Sequence, residues 1–153
     1  VSLEKLMRDK MLNVLVHVDA HPLSRWGCDG VLVATPTGST AYAFSGGGPV
    51  VWPEVQAMLI VPLSAHALFN RPMVLAPTSH VSLELGGPVP QGIIWCDGRR
   101  SVDVGPGMRI AVRASEHPML LARLSEQPFT TRLVRKFELP VDGWRRSPRG
   151  EAC

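Results

Sequence analysis

Four hydroxyl residues crowd the stretch "TPTGSTAY": Thr35, Thr37, Ser39 and Thr40, with Ala41 and Tyr42 directly after them. An apolar segment, "GVLVA", precedes them, and "FSGGGP" follows. Hydroxyls and backbone N–H groups gathered at the start of a helix can hold phosphate, ribose or base edges without a formal charge. The surroundings fit that chemistry, because between Val31 and Asn70 the only formally charged residue is Glu54. The stretch is not a Walker loop, since no Lys follows its Gly, and "GGGP" lacks the spacing of a dinucleotide fingerprint. The competing account is a hydroxyl-rich cap on an ordinary helix.

Other chemistry-bearing residues are sparser. His17 and His21 have the spacing of a helical metal pair, but "LNVLVHVDAH" alternates with the period of a half-buried strand, which sets them apart, so no metal ligation is expected. Cys28, Cys96 and Cys153 form an odd set without CxxC spacing, which argues against a disulfide framework or a zinc site and fits a reducing, cytoplasmic compartment. An internal echo, "WGCDG" at Trp26 to Gly30 and "WCDG" at Trp95 to Gly98, reads on spacing alone as two tight Asp-Gly turns.

These residues need a framework, and the pattern predicts a β-rich one. Besides the strand in "LNVLVHVDAH", short strands are expected at Gly30 to Ala34, Met58 to Val61, Met73 to Leu75, His80 to Leu85, Gly92 to Trp95, Ser101 to Val104, Met108 to Arg113 and Met119 to Leu124. Close turns between short strands imply two packed antiparallel sheets or a distorted barrel. One helix is predicted from Gly38 to Ser45, with Thr37 as N-cap and the glycines from Gly46 as terminator. Another is predicted in "TTRLVRKF", where Phe129, Leu133 and Phe137 recur every four residues and make a stripe suited to docking on another domain.

Composition bounds the whole. At 153 residues and 45% hydrophobic content the chain has the size of one ordinary domain. A net charge of +3 and 6% aromatics give no nucleic-acid signature, and the basic end, Arg132, Arg135, Lys136, Arg145, Arg146 and Arg149, reads as a solvated surface or tail. The uncharged window is broken by Pro36, Pro49, Pro53, Pro62 and the run Gly46 to Gly48, so it is no membrane span and must be buried by protein or ligand. The chain opens on Val1, and "VSLEKLMRDK" is too charged for a signal peptide. It reads as a fragment of something longer.

"DGVLVATPTGSTAYAFSGGGPVVWP" closely resembles the signature of the NAD kinase family, as do "AHALFNRP" at Ala65 to Pro72 and "CDGRR" at Cys96 to Arg100, while "TTRLVRKF" resembles the closing segment of its actinobacterial members. The resemblance implies a mainly β fold, a two-layer sandwich-like C-terminal domain with short helices and a C-terminal docking segment. It implies residues 1–127 as an NAD-binding domain, 128–145 as a segment docking on a missing N-terminal α/β domain, and 146–153 as a flexible tail. The implied activity is phosphorylation of the 2′-hydroxyl of the adenosine ribose of NAD to give NADP. The implied donor is ATP, with a divalent metal such as Mg, or inorganic polyphosphate, and the implied assembly is a cytoplasmic homodimer or homotetramer.

Carried over by position, Asp29 matches a family aspartate that contacts NAD, in some members across a subunit interface. Thr40, Ala41, Tyr42 and Ser45 match residues that hold NAD, and Ser39 is an additional polar contact. Arg99 falls where some relatives place a substrate-contacting Gln, and a cation there could face a phosphate. His66 matches the family His before "RP", either as a pocket or interface residue or as a core histidine. The family's catalytic base is the Asp of a "GGDG" motif, which this chain lacks, and the "NE" pair that binds the ribose belongs just before "VSLEK". The chain is therefore expected to hold part of a site. Two other classes stay open beside it: a non-catalytic β-sandwich for nucleotide binding or subunit assembly, and a lipid kinase of the diacylglycerol kinase type, which shares the wider fold but lacks "TPTGSTAY".

Overall fold

The structure is a computed structural model that describes residues 1–88, 92–120, 122 and 127–141. The chain divides into two units, residues 1–117 and 118–153. The first unit contains β1 (Ser2–Lys5), β2 (Leu12–Val18), β3 (His21–Cys28), β4 (Gly30–Ala34), a 3-10 turn (Thr37–Thr40), α1 (Tyr42–Ser45), β5 (Met58–Leu63) and β6 (Met73–Leu75), followed by β7 (Val81–Gly86), β8 (Gly92–Cys96), β9 (Arg100–Val104) and β10 (Arg109–Val112). In the second unit α2 covers Phe129–Phe137, where "TTRLVRKF" predicts a helix, and its last turn carries Arg135 and Lys136, which suit the negative end of the helix dipole. Among the described residues no helix is long and apolar enough to cross a membrane.

The expected pair of antiparallel sheets is present. One has six strands in the order β6-β5-β4-β1-β8-β9, and the other has four in the order β10-β7-β2-β3. Every pairing is antiparallel. Alternation in β2 and β7 sends Leu12, Val14, Val16, Val81, Leu83 and Leu85 inward, where they meet Leu3, Val31, Val33 and Ile60 of the larger sheet. Trp26 is fully buried in this core, and its Nε1 donates to the Phe69 carbonyl at 2.8 Å, tying the "AHALFNRP" loop to β3.

β4 and β5 do not alternate. Their runs "GVLVA" and "MLIVPL" are buried on both faces because the segment from Thr37 to Gly48 lies over the outer face of the larger sheet. Leu32, Ala43 and Val61 form a second small core there, with Ala34 and Leu63 against it. Pro62 is tolerated in β5 because the pairing with β6 involves only Met58, Leu59 and Ile60.

Several expectations are corrected. The helix predicted from Gly38 to Ser45 is split at Ala41 into the 3-10 turn and α1, and Thr37 is no cap: Pro36 holds that place without a side-chain bond. Met119, Leu120 and Ala122 lie in no strand, and the rest of the strand expected from Met119 to Leu124 is outside the described residues. β1 and β3 had no clear pattern, since "SLEK" is short and "HPLSRWGC" carries Pro and Gly. β2 ends at Val18 and turns through Asp19 and Ala20, both at positive φ, so His17 and His21 lie on neighbouring strands of a hairpin rather than far apart on one strand. Asp19 fastens that turn: its carboxylate accepts from the His80 N–H at 2.8 Å and from the Ser79 hydroxyl at 3.2 Å.

The segment over the sheet leaves no room for side chains at two glycines. A Cβ on Gly48 would lie 2.7 Å from the Ala43 carbonyl oxygen and 2.9 Å from Val61 Cγ2, and one on Gly46 would lie 2.9 Å from Leu63 Cδ2. Gly48→Ala is expected to cost about 1–3 kcal/mol of stability, as overpacking against backbone does. Chemical denaturation of the two proteins measures it, and equal midpoints would mean that the segment lifts off the sheet freely.

Candidate functional site

The segment from Thr37 to Gly48 is held down by one clasp. The Ser39 side chain is fully buried; its Oγ accepts from the Val51 N–H at 2.9 Å and donates to the Val51 carbonyl at 3.3 Å. Two backbone groups that have no strand partner are satisfied this way. The Ser39 hydroxyl, expected as a ligand contact, is therefore committed to the loop itself. Thr35 Oγ1 accepts from the Gly38 N–H at 3.3 Å and braces the start of the turn.

Beside this segment opens a recess of about 840 Å³. Its floor is a cross-strand row on the larger sheet, Leu32 of β4, Ser2 of β1 and Trp95 of β8, with Glu4 two residues along β1. Gly38, Ala41 and Tyr42 form one wall. Asp97 and Gly98 form the opposite one, from a β8–β9 turn in which both have positive φ and the Arg99 N–H donates to the Cys96 carbonyl at 3.2 Å. Val112 to Ser115, Met58 and Pro77 close the far end. A largely apolar cleft with two aromatic rings and few polar groups suits a flat heterocycle and its sugar.

Of the eight residues singled out in the sequence, Ala41 and Tyr42 line the recess. Thr40 is half-buried in the 3-10 turn between them and Ser39. Ser45 is exposed at the end of α1, and its hydroxyl donates to the Tyr42 carbonyl at 2.9 Å. Arg99 is exposed just beyond Gly98. His66 is exposed and bridges Gly27, its N–H donating to the Gly27 carbonyl at 2.8 Å, so it is not a core histidine.

Asp29 occupies the corner where the chain passes from the smaller sheet to the larger. Its N–H donates to the Leu63 carbonyl at 2.9 Å, its carbonyl accepts from the Lys5 N–H at 3.0 Å, and Lys5 Nζ lies 2.6 Å from its Oδ1. The Asp-Gly echo is thus half a turn pair: Asp97-Gly98 is a hairpin turn, whereas Asp29-Gly30 is a corner between sheets. Neighbouring Cys28 is buried, and burial pushes its thiol up to about 12, so it stays protonated and unreactive.

Sequence reading missed Ser2, Glu4, Trp95 and the Val112 to Ser115 segment. No local signal marks them. They meet only because β1 inserts between β4 and β8. Ser2 is buried and its hydroxyl donates to Glu4 Oε1 at 2.6 Å. The Tyr42 phenol is held above its ordinary range by burial first, and then by the negative charges of Glu4 and Asp29.

Fold and recess together define a class: a two-sheet β domain that presents a ligand cleft on the outer face of one sheet, under a small-residue segment. Residues 1–124 match the family model described as ATP-NAD kinase C-terminal domain, and the chain belongs to that family. It is 58% identical over 142 residues to an NAD kinase of Thermobifida fusca (strain YX), covering 93% of this chain and 44% of that protein. To an NAD kinase of Cutibacterium acnes it is 59% identical over 149 residues, covering 95% and 46%. The chain therefore spans about half the length of these curated relatives. Among solved structures, it matches a yeast NADH kinase complexed with NADH at a TM-score of 0.68 and 36% identity, covering 73% of this chain and 32% of that one. An NAD kinase from Archaeoglobus fulgidus in complex with ATP matches at 0.69 and 33% identity, covering 76% and 45%.

Tyr42 is the one tyrosine of the sequence, so absorbance titration of the phenolate reads this site alone. The folded chain is expected to ionise above the usual value near 10, and to fall back toward it in denaturant. Coincident midpoints would mean that the ring is neither desolvated nor near those carboxylates.

Proposed function

We propose that this chain is the acceptor-holding part of an NAD kinase, which transfers a phosphoryl group from ATP or polyphosphate to the 2′-hydroxyl of the adenosine ribose of NAD. The observation that carries the reading is the recess itself: Tyr42 and Ala41 of "TPTGSTAY" stand over a floor that contains Trp95, within the residues that the family model matches. The NADH and ATP complexes of the two solved relatives support a dinucleotide acceptor and a nucleotide donor.

Phosphoryl transfer depends on positioning and on stabilising charge, so the work can be divided between domains. In this reading Tyr42 packs on the dinucleotide, and Ala41 and Thr40 meet it through the tight 3-10 turn. Asp29 and Ser45 accept or donate to its hydroxyls, in the intact assembly where a subunit boundary brings them to the ligand. His66 belongs to that boundary, and Arg99 faces a phosphate. Ser39 acts indirectly, by holding the turn to Val51.

The catalytic base belongs to the "GGDG" motif of an N-terminal domain. A divalent metal such as Mg accompanies the donor. Among the described residues no group of three or more His, Cys, Asp or Glu could hold a metal ion. The organisation we propose is residues 1–127 as the NAD-binding domain and 128–145 docking on the N-terminal domain through Phe129, Leu133 and Phe137; the expected tail, 146–153, lies outside the described residues. The intact protein is a cytoplasmic homodimer or homotetramer with no nucleic-acid or membrane partner.

Coupled NADP formation by the intact protein tests the reading. Tyr42→Ala and Asp29→Asn are each expected to raise KM for NAD roughly tenfold or more, with a smaller loss in kcat. Unchanged kinetics in both would remove these residues from the site. Tight NAD binding with no NADP formed would leave a nucleotide-binding module instead.

A further inference from the structure

One carboxylate in the recess has no part in the reading above. Glu4 lines the cleft together with Ser2, Tyr42 and Trp95. The Ser2 hydroxyl, itself buried, fixes Oε1 at 2.6 Å, while no hydrogen bond to Oε2 occurs among the described residues. The cross-strand neighbours of Glu4 are Gly30 and Ile93, neither of which carries charge. Lys5, the adjacent cation, is committed to Asp29 at 2.6 Å. Among the described residues no ion pair neutralises Glu4. The charged side chains lining the recess are Glu4, Asp97 and Arg113; the Val1 ammonium, also in the lining, donates to the Val33 carbonyl at 2.9 Å, so it is Glu4 that sets a negative charge beside Tyr42. That charge reaches the aromatic wall, since Glu4 helps to hold the Tyr42 phenol above its ordinary range.

A dinucleotide with a nicotinamide end exists in two forms of nearly the same shape. The oxidised ring is a pyridinium cation, and the reduced ring is neutral. Packing cannot separate them well, but a fixed charge beside the ring can, because Coulomb interactions strengthen as a bound ligand displaces water from between the partners. Aromatic faces act in the same direction, since the ring quadrupole attracts cations.

We propose that Glu4 is a specificity-determining residue that makes the recess favour NAD in its oxidised, cationic form over NADH. The proposal rests on the NAD kinase reading and adds to it the redox state of the acceptor. Glu4 acts through charge, with Ser2 holding the carboxylate in place and Tyr42 and Trp95 flanking the ring.

The test compares kcat/KM for NAD and for NADH in the intact protein, the products being separated chromatographically. The unmodified protein is expected to prefer NAD. In Glu4→Gln the NAD:NADH ratio should fall about 3–10-fold, the loss falling on NAD while NADH changes by less than about twofold. Glu4→Asp keeps the charge and should keep the ratio within about twofold. An unchanged ratio in Glu4→Gln, or equal losses for both nucleotides, overturns the proposal and places Glu4 beside the adenosine half or outside the ligand's reach. Should Glu4→Gln fail to fold, the unmodified protein still decides: its preference for NAD should shrink as salt rises from about 20 to about 500 mM. A preference that is absent, or indifferent to salt, overturns the proposal. Failure to phosphorylate either nucleotide instead overturns the NAD kinase reading on which it rests.

Discussion

The packing of a backbone segment flat on a sheet governs this domain. Residues Thr37 to Gly48 lie so close to β4 and β5 that Ala43 is buried between Leu32 and Val61, and an added methyl at Gly48 would touch the Ala43 carbonyl. Only small residues permit that approach. The contact has two effects. It buries the outer face of β4 and β5, so that the larger sheet is covered on both sides where it would otherwise expose Leu32 and Val61. It also fixes a wall for the recess, because a segment pinned this tightly cannot shift when a ligand presses on it.

The polar design follows from that apolar one. A buried segment carries N–H and C=O groups that need partners, and Ser39 serves two of them on Val51. The hydroxyls of "TPTGSTAY" thus divide their labour: some satisfy the loop, and others remain near the cleft. Charge is handled in a similar way. Lys5 and Asp29 pair at the corner between the sheets, while Glu4, one residue earlier on β1, lines the recess with no ion-pair partner among the described residues. Successive residues of a strand point to opposite faces, so adjacent positions can have unlike surroundings.

The sequence made the sheet framework legible where burial is periodic or continuous. β4 and β6 appear at their predicted bounds, and β2, β5, β7, β8, β9 and β10 within a few residues of theirs. β1 and β3 were invisible because their pairing, not their composition, makes them strands: "SLEK" is a strand because β4 and β8 flank it, and "HPLSRWGC" because β2 turns back through Asp19 and Ala20. The split at Ala41 was equally hidden, since helix propensity says nothing of the need to bend a short segment over a sheet.

By itself the sequence determined a β-rich domain, the uncharged hydroxyl-bearing loop, and the family to which its motifs point. These are properties of local pattern: spacing, alternation and the order of short motifs along the chain. Tertiary structure alone decided which side chains share the cleft. It brought Ser2, Glu4 and Trp95 to a floor beside the Tyr42 wall, buried Ser39 as a clasp, and left His66 at an exposed bridge to β3. The reason is that the six-stranded sheet orders its strands β4-β1-β8, placing residues far apart in sequence side by side, as the register of Ser2 with both Leu32 and Trp95 requires.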